Sequence, residues 1–295
     1  MPIATLIAAD SLNNGMISAC QDRLREAGLE PVDTGWIEAG KAVDVSFDGN
    51  LATARAALRP MEEKLDIVVQ SGGSRRKMLL VSDMDSTMIT VECIDELADY
   101  AGIKPQIAKI TERAMAGELD FAEALKARVA LLAGLDESVI ATALRDRVRP
   151  MAGATELVRT MAGWGAHSVL VSGGFTAFTG PVAAQIGLTE VHANVLEIKD
   201  GKLTGQLTGA IVDAAAKRDV LEKAAKSVAD GAVLAVGDGA NDLPMIAAAV
   251  EMNGLGAAYH PRPALAEAAN FSVRHGDLTA LLYAQGVPRS EWAAA

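Results

Sequence analysis

The order of apolar and polar positions divides this 295-residue chain into stretches of different rhythm. In the first, Ala4 to Ala9 reads as a strand and Gly15 to Ala27 as an amphipathic helix ended by Gly28. Glu30 to Ile37 and Lys41 to Phe47 are strand-like, separated by Glu38-Ala39-Gly40. After Asp48-Gly49-Asn50, Leu51 to Lys64 is helical by period and Leu65 to Gln70 is a last strand. This β-α-β-β-α-β order predicts a ferredoxin-like α+β domain over residues 1–72. Ser71-Gly-Gly-Ser-Arg-Arg-Lys77 reads as a linker whose basic cluster is a solvated hinge.

Met78 to Val81 is a short apolar run that delivers Asp83 and Asp85 where it ends, the pattern of a buried strand. From Val91 to about Pro150 the pattern turns helical. Glu92 to Ala101 is closed by Gly102, Pro105 to Ala116 by Gly117, Phe121 to Ala133 by Gly134, and Glu137 to Val148 by Pro150. A crossover between parallel strands needs only one helix. Residues 92–149 are therefore expected to be a helical cap inserted into a core made of 77–91 and 150–290. The sheet resumes at Ala166 to Val171, followed at once by Ser172-Gly173-Gly174-Phe175. Val191 to Glu197 and Leu203 to Leu207, joined by Lys199-Asp-Gly-Lys202, read as a hairpin. Helix Ala214 to Ala229 and strand Ala232 to Val236 lead into Gly237-Asp-Gly-Ala-Asn-Asp-Leu-Pro-Met245. The remainder alternates short apolar runs, Glu251 to Leu255 and Phe271 to Val273, with helices. The chain is expected to be α/β, a Rossmann-like core with a parallel sheet, an inserted cap and the N-terminal α+β domain.

Composition narrows the partners. Half of the residues are hydrophobic and 4% aromatic, so the core is aliphatic; the net charge of −11 and pI near 4.9 oppose a nucleic-acid role. An anionic small molecule remains compatible, because a local site with a bound cation can reverse the global field. Two distant cysteines, Cys20 and Cys93, make neither a disulfide framework nor a metal cluster and suit a reducing compartment. The start lacks the basic and apolar segments of a signal peptide, and no apolar run approaches membrane-spanning length. A cytoplasmic location without a membrane partner is the expectation.

Four chemical signals occur in a fixed order. Asp83-Met-Asp85-Ser-Thr87 places two carboxylates at a strand exit, where open α/β sheets bind ligands. Ser172 follows a β-run, with two glycines that let backbone amides approach an anion. Lys217 opens a helix, and Gly237-Asp238-Gly-Ala-Asn241-Asp242 follows another strand. Each alone has a bland alternative: an inert acidic turn, a plain turn, a solvated lysine, a common loop. The four in this order, each at a strand end or helix start, point to phosphoryl chemistry.

These residues resemble the four motifs of the haloacid-dehalogenase (HAD) superfamily of phosphotransferases, and more finely its phosphoserine phosphatases. The finer likeness rests on Asp83-Met-Asp-Ser-Thr-Met-Ile-Thr-Val-Glu-Cys-Ile-Asp-Glu-Leu-Ala98, Met115-Ala-Gly-Glu-Leu-Asp-Phe121 with Arg128, and Val171-Ser-Gly-Gly-Phe175. It covers roughly residues 75 to 285, with Cys93 at a position where the family tolerates variation. The N-terminal domain resembles ACT-type modules that bind amino acids; a module that serves only to pair two copies as a homodimer is the other reading.

The resemblance implies hydrolysis of O-phospho-L-serine, the last step of serine biosynthesis, through an aspartyl-phosphate. A phosphomonoester is a dianion with a poor leaving alkoxide, so cleavage needs charge neutralisation, an in-line nucleophile and a proton donor. Asp83 is the implied nucleophile and Asp85 the general acid and base. Asp85 cannot be a neutral donor and a carboxylate ligand at once, so its backbone carbonyl is the implied metal contact. Asp83 and Asp238 supply carboxylate ligands to Mg²⁺. Ser172, Gly173, Gly174 and Lys217 would hold the phosphoryl oxygens, Asn241 would assist, and Asn241 with Asp242 would brace Lys217 and the metal waters. On the cap, Glu92 would take the ammonium and Arg128 the carboxylate of the serine end, with Met115 and Phe121 closing the pocket. Phe121, Leu125 and Arg128 stand at i, i+4 and i+7 on one helix face; as a bare pattern this also fits a snorkelling surface arginine. Two other functions share these motifs: transfer of the phosphoryl group to another hydroxy amino acid such as homoserine, and an inert serine-sensing regulatory protein.

Overall fold

The computed structural model describes residues 1–73, 75–115 and 118–294, with the Met115 side chain outside the description. The expected helix end at Ala116-Gly117 and the expected pocket contact of Met115 therefore lie outside the described residues.

The N-terminal elements are β1 (Pro2–Ile7), α1 (Asn14–Glu26), β2 (Glu30–Glu38), β3 (Ala42–Asp48), α2 (Leu51–Leu58) and β4 (Asp66–Ser71). The strands form an antiparallel sheet in the order β2-β3-β1-β4, the ferredoxin-like arrangement. Both helices start on an asparagine whose side chain accepts backbone N–H groups of the first turn, Asn13 from Met16 and Asn50 from Ala52 and Thr53. Leu6, Leu24, Val43, Phe47, Leu58 and Val69 are buried together as the core of this unit. The helical period over 51–64 breaks after Leu58, where Pro60 has no N–H to give to the α-helix, and the chain continues as a 3₁₀ turn, Arg59–Glu63.

The linker is not a solvated hinge. Arg75 is largely buried: it pairs with Asp44 and donates to Thr5 Oγ1 and to the carbonyls of Tyr283 and Ala284. Lys77 is buried as well and donates to the Gly231 carbonyl at 2.7 Å. Arg75 clamps the first unit to the second, and Lys77 anchors the end of the linker on the second. A further tie comes from Asp66, 1% exposed, which accepts the backbone N–H groups of Arg274, His275 and Gly276 at 2.7–3.1 Å. Asp66→Ala leaves three donors without their acceptor. Stranding buried groups of this kind costs about 1–3 kcal/mol each when fully desolvated. A lower melting temperature is the expected result, with faster proteolysis of the N-terminal unit. An unchanged melt and digestion pattern would show that this junction carries no stability.

The second unit runs β5 (Leu79–Ser82), α3 (Cys93–Tyr100), α4 (Lys104–Met115), α5 (Phe121–Ala130), α6 (Ser138–Asp146), α7 (Ala154–Gly163), β6 (His167–Phe175), α8 (Thr176–Ile186), β7 (Glu190–Lys199), β8 (Lys202–Thr208), α9 (Ala214–Ala225), β9 (Val233–Gly237), α10 (Leu243–Glu251), β10 (Leu255–Tyr259), α11 (Pro263–Ala268), β11 (Phe271–Val273) and α12 (Ala280–Ala284). The sheet order is β11-β10-β9-β5-β6-β7-β8, parallel except for the β7–β8 hairpin. Helices α3 to α6 lie between β5 and β6 in sequence. They bond to the β7–β8 hairpin at the sheet edge: the N–H of Gly134 donates to Leu203, that of Leu203 to Leu135, and that of Glu137 to Gly201.

One strand sits elsewhere than expected. The run Glu251 to Leu255 is the end of α10 and a turn, and the strand is Leu255–Tyr259. Its Leu-Gly-Ala-Ala-Tyr sequence carries little β-propensity. It is a strand because small residues fit under α10: a Cβ on Gly256 would lie 2.7 Å from the Ile246 carbonyl oxygen.

Candidate active site

Three neighbouring strands build the site. β5 lies between β6 and β9, and its last paired residue, Ser82, is level with Leu170 and Val236. The chain therefore leaves β5 at Asp83 beside the exits that carry Ser172 and Asp238. The Asp83 amide still donates to the Val236 carbonyl at 3.0 Å, which fixes the carboxylate at the sheet edge. After Asp83 the chain turns sharply, with Ser86 at φ 56° and its hydroxyl donating to Glu92 Oε1 at 2.7 Å.

Lys217 reaches this edge from the first turn of α9, which is capped by Asp213 accepting from the Ala216 amide at 2.9 Å. Its Nζ is 2.8 Å from Asp83 Oδ2 and 2.7 Å from Asp242 Oδ1, and the lysine is fully buried. The other Asp242 oxygen accepts the backbone N–H groups of Asp238 and Gly239 at 3.2 and 3.1 Å. Gly237 makes that return possible: a Cβ there would fall 2.4 Å from Asp242 Cγ. Lys217 Nζ is thus held by Asp83 and Asp242. Asn241 shares the turn but makes no side-chain hydrogen bond among the described residues, so bracing of the lysine falls to Asp242.

The carboxylates Asp83, Asp238 and Asp242 each offer an oxygen within 4.8 Å of the others. Burial, and then the Asp242 charge, push the Asp83 carboxyl well above the usual range, with Lys217 pulling the other way. Burial alone would lower the pKa of Lys217, but the carboxylates of Asp83 and Asp242 hold it above its ordinary value. Asp238 is raised to about 6 by burial and Asp242, while the Thr87 hydroxyl, 3.1 Å from its Oδ1, lowers it. More negative charge converges here than one ammonium neutralises. Asp242 accepts from three protein donors, Lys217 and the Asp238 and Gly239 N–H groups, Asp83 from two and Asp238 from Thr87 alone, so Asp83 and Asp238 keep more lone pairs for a cation. An all-oxygen set of this kind suits a hard divalent ion.

Asp85 differs from its neighbour. Its carboxyl faces Cys93, which opens α3, and is raised to about 7 by burial first and the Glu92 charge second. Its buried Oδ1 has no hydrogen-bond partner among the described residues, and its Oδ2 would lie 3.2 Å from a Cβ on Gly174. A carboxyl that is protonated near neutrality and has an uncommitted oxygen beside the anion loop can deliver a proton.

That loop is extruded from the sheet. Val171 pairs with His192 and Phe175 with Asn194, so four steps along β6 span two along β7 and Ser172-Gly173-Gly174 is pushed out of the ladder. Ser172 is buried, and its Oγ accepts the Gly174 N–H at 2.9 Å. Phe121, the first residue of α5, lies on the loop: a Cβ on Gly173 would be 3.0 Å from Phe121 Cζ. Two turns later Arg128 is half-buried, with Nε donating to its own helix at Ala124. Burial lowers its pKa, while Asp95 and Glu92 act against that. Among the described residues no carboxylate forms an ion pair with it. Phe121 therefore sits against the Ser172 loop, and Arg128, farther along the same helix, is within electrostatic reach of Asp95 and the exposed Glu92.

Two contacts escape the sequence pattern. Thr87 reads there as a turn residue but touches Asp238, and Cys93 reads as indifferent but faces Asp85. The only signal for either is the spacing from Asp85, which becomes meaningful once the turn at Ser86 is known.

The family model of haloacid dehalogenase-like hydrolases matches residues 80–247. A phosphoserine phosphatase of Streptomyces coelicolor is 45% identical over 249 residues, which is 83% of this chain and 58% of that protein. This chain thus spans little more than half the length of that relative. The crystal structure of a probable phosphoserine phosphatase from Vibrio cholerae, in unliganded form, superposes with a TM-score of 0.77 at 33% identity, covering 98% of this chain and 87% of the other. A phospho-aspartyl intermediate analogue of a phosphoserine phosphatase superposes with a TM-score of 0.63 at 37% identity, over 70% of this chain and 98% of that one. No helix among the described residues is long and apolar enough to cross a membrane.

Proposed function

The chain belongs to the haloacid dehalogenase-like hydrolase family, and we propose that it hydrolyses O-phospho-L-serine to L-serine and phosphate through an aspartyl-phosphate on Asp83. The observation that carries this reading is the position of Asp83. It is a buried carboxylate at a strand exit, held by Lys217 and beside Asp238, and Phe121 of the cap lies against the neighbouring Gly173 loop. In this reading residues 1–72 form an ACT-like domain, 77–91 and 150–290 the catalytic core, and 92–149 the cap.

A carboxylate oxygen of Asp83 attacks phosphorus in line as the bond to the serine oxygen breaks. Asp85, neutral at that moment, gives its proton to the departing alkoxide. In the second half the Asp85 carboxylate takes a proton from water, which attacks the aspartyl-phosphate and frees Asp83 and phosphate. Ser172, the Gly173 and Gly174 amides and Lys217 bind the non-transferring oxygens, with Asn241 beside them. Asp83, Asp238 and the Asp85 carbonyl are the groups that would hold Mg²⁺, which when bound neutralises phosphoryl charge. Arg128 grips the serine carboxylate, Glu92 takes the ammonium, and Phe121 excludes water. The same reading makes this the last step of serine synthesis, in the cytoplasm. The N-terminal domain then either binds an amino acid or pairs two copies.

The test is a crossed substrate pattern, run with Mg²⁺ and with chelator. Arg128→Ala removes one partner of a buried charge pair in the complex, a loss of about 2–5 kcal/mol; Arg128→Lys keeps the charge without the two-pronged geometry and should lose less. The penalty should appear with phosphoserine and largely vanish with phosphoethanolamine, which has no carboxylate. Glu92→Gln should penalise the substrates that carry an ammonium and spare phosphoglycolate. Equal losses on all three substrates in both variants would reduce the cap residues to structural ones and end the phosphoserine assignment.

A further inference from the structure

Asn194 lies on β7, is 1% exposed, and has no part in the chemistry described above. Its side chain makes two well-formed hydrogen bonds that both reach into the site. Nδ2 donates to the Gly173 carbonyl at 2.9 Å, and Oδ1 accepts the Val212 N–H at 2.9 Å. A longer Nδ2 contact, 3.5 Å, reaches the Val212 carbonyl.

The first bond replaces one the sheet has lost. Asn194 is the residue opposite Phe175 where pairing resumes after the bulge, so the extruded Gly173 carbonyl has no ladder partner on β7. That carbonyl belongs to the same peptide group as the Gly174 N–H. Holding one end of the planar unit therefore aims the other, and the Gly174 N–H points at Ser172 Oγ, 2.9 Å away. With an oxygen lone pair occupied by this donor, the Ser172 hydroxyl proton is left to be given outward to an anion. The bonds run in series, Asn194 to peptide to Ser172, and polarise one another.

The second bond reaches the lysine. Val212 immediately precedes Asp213, the residue that caps the first turn of α9 and so sets where Lys217 enters the site. One amide thus ties the hydroxyl and the ammonium of the anion cradle to a common post on β7. An amide is required, because the two partners demand a donor and an acceptor on the same short side chain. Aspartate offers only acceptors, and leucine offers neither.

We propose that Asn194 is a positioning residue for phosphoryl recognition, acting through Ser172 and Lys217; this rests on the phosphoryl-transfer reading of the site but not on the identity of the serine end. Asn194→Asp keeps the bond from Val212 and loses the one to Gly173, setting a carboxylate oxygen against the Gly173 carbonyl. Asn194→Leu loses both bonds at similar volume. The expected loss in kcat/KM is about 10- to 100-fold for either, the factor for a buried polar group left unpaired.

The decisive experiment is a double-mutant cycle with Ser172→Ala, read on phosphoserine and on p-nitrophenyl phosphate, with inhibition by inorganic phosphate measured alongside. If Asn194 works through Ser172, the double variant Asn194→Asp/Ser172→Ala, in which the bond from Val212 is kept, is less than about 3-fold worse than Ser172→Ala alone, because the hydroxyl that the Gly173 bond orients is already gone. Inhibition by phosphate weakens in Asn194→Asp and does not weaken further in the double variant. Leu196→Ala, a buried apolar truncation on the same strand, controls for lost stability; at equal folded fraction it should keep kcat/KM on both substrates. Losses that multiply in the cycle, or that Leu196→Ala reproduces, would overturn the positioning role. Coupling on p-nitrophenyl phosphate without turnover of phosphoserine would support Asn194 while removing the substrate proposed above.

Discussion

Asp83→Asn should abolish turnover while leaving a folded protein that is as stable as the parent in metal-free buffer, or more so. The loss of rate follows from chemistry: the amide nearly matches the carboxylate in shape but cannot attack phosphorus. Removing a catalytic nucleophile costs on the order of 10⁶-fold in kcat where it has been measured. The stability argument is electrostatic. Asp83, Asp238 and Asp242 crowd within 4.8 Å around a single lysine, and burial and Asp242 already push the Asp83 carboxyl toward its neutral form. A neutral side chain removes a like charge from that cluster. Against this, both Asp83 oxygens accept from donors, Lys217 Nζ and the Met84 N–H, so the amide must set its NH₂ against one of them. Of the two terms the relief of charge should be the larger, since Asp242 remains to pair Lys217. Added magnesium should then raise the melting temperature of the wild type more than that of the variant, because a ligand stabilises in proportion to its affinity for the folded state. Turnover by the purified variant, checked for reversion of the amide, would remove Asp83 from the nucleophile's role. A metal-free melt well below the wild type would show that the lysine pair, not the crowding, dominates the cluster.

What the sequence makes legible here depends on how local the cause is. The N-terminal unit can be read element by element because its cues are local: Asn13 and Asn50 as caps, Gly28 as a stop, alternating burial along β3. The exits of β5, β6 and β9 can be read because each joins an apolar run to a short polar cluster, and parallel strands bring their ends to one edge. The failures have non-local causes. β10 is a strand in which α10 leaves no room for a side chain at Gly256, which no period reveals. Arg75 and Lys77 look like solvated charges in a glycine-rich linker until the fold sets Arg75 between the two units and Lys77 against Gly231. Asn194 is one polar position in a strand with ordinary alternation; its meaning comes from a bulge on the adjacent strand. Arg128 is the intermediate case. Its helix face is visible at i, i+4 and i+7, but only the fold brings Asp95 and Glu92 to bear on it and sets Phe121 against Gly173.

Asp85→Asn should impair both halves of the reaction, and the leaving group should separate them. Among the described residues Asp85 is the one carboxyl at the site with an uncommitted buried oxygen, and burial with the Glu92 charge brings it to about 7, where protonated and ionised forms are both accessible. A serine alkoxide is a poor leaving group and needs the proton, so phosphoryl transfer from phosphoserine should slow by the 10²- to 10⁴-fold typical of general acid–base catalysis. Nitrophenolate departs without a proton, and with p-nitrophenyl phosphate that first step should be largely spared. The second step is the same for both substrates, since each leaves the same aspartyl-phosphate, and it still lacks its base. The variant should therefore show a burst of nitrophenol close to one equivalent per site, followed by a slow steady state. With phosphoserine it should show no burst of serine. Acid quenching during the slow phase should trap phosphate on the protein, and Asp83→Asn/Asp85→Asn should trap none. The alternative is that Asp85 serves only to hold the turn at Ser86 and the start of α3 in place. In that case single-turnover rates would fall by the same factor for phosphoserine and p-nitrophenyl phosphate, no phosphoprotein would accumulate, and the proton-transfer role would have to pass to another group.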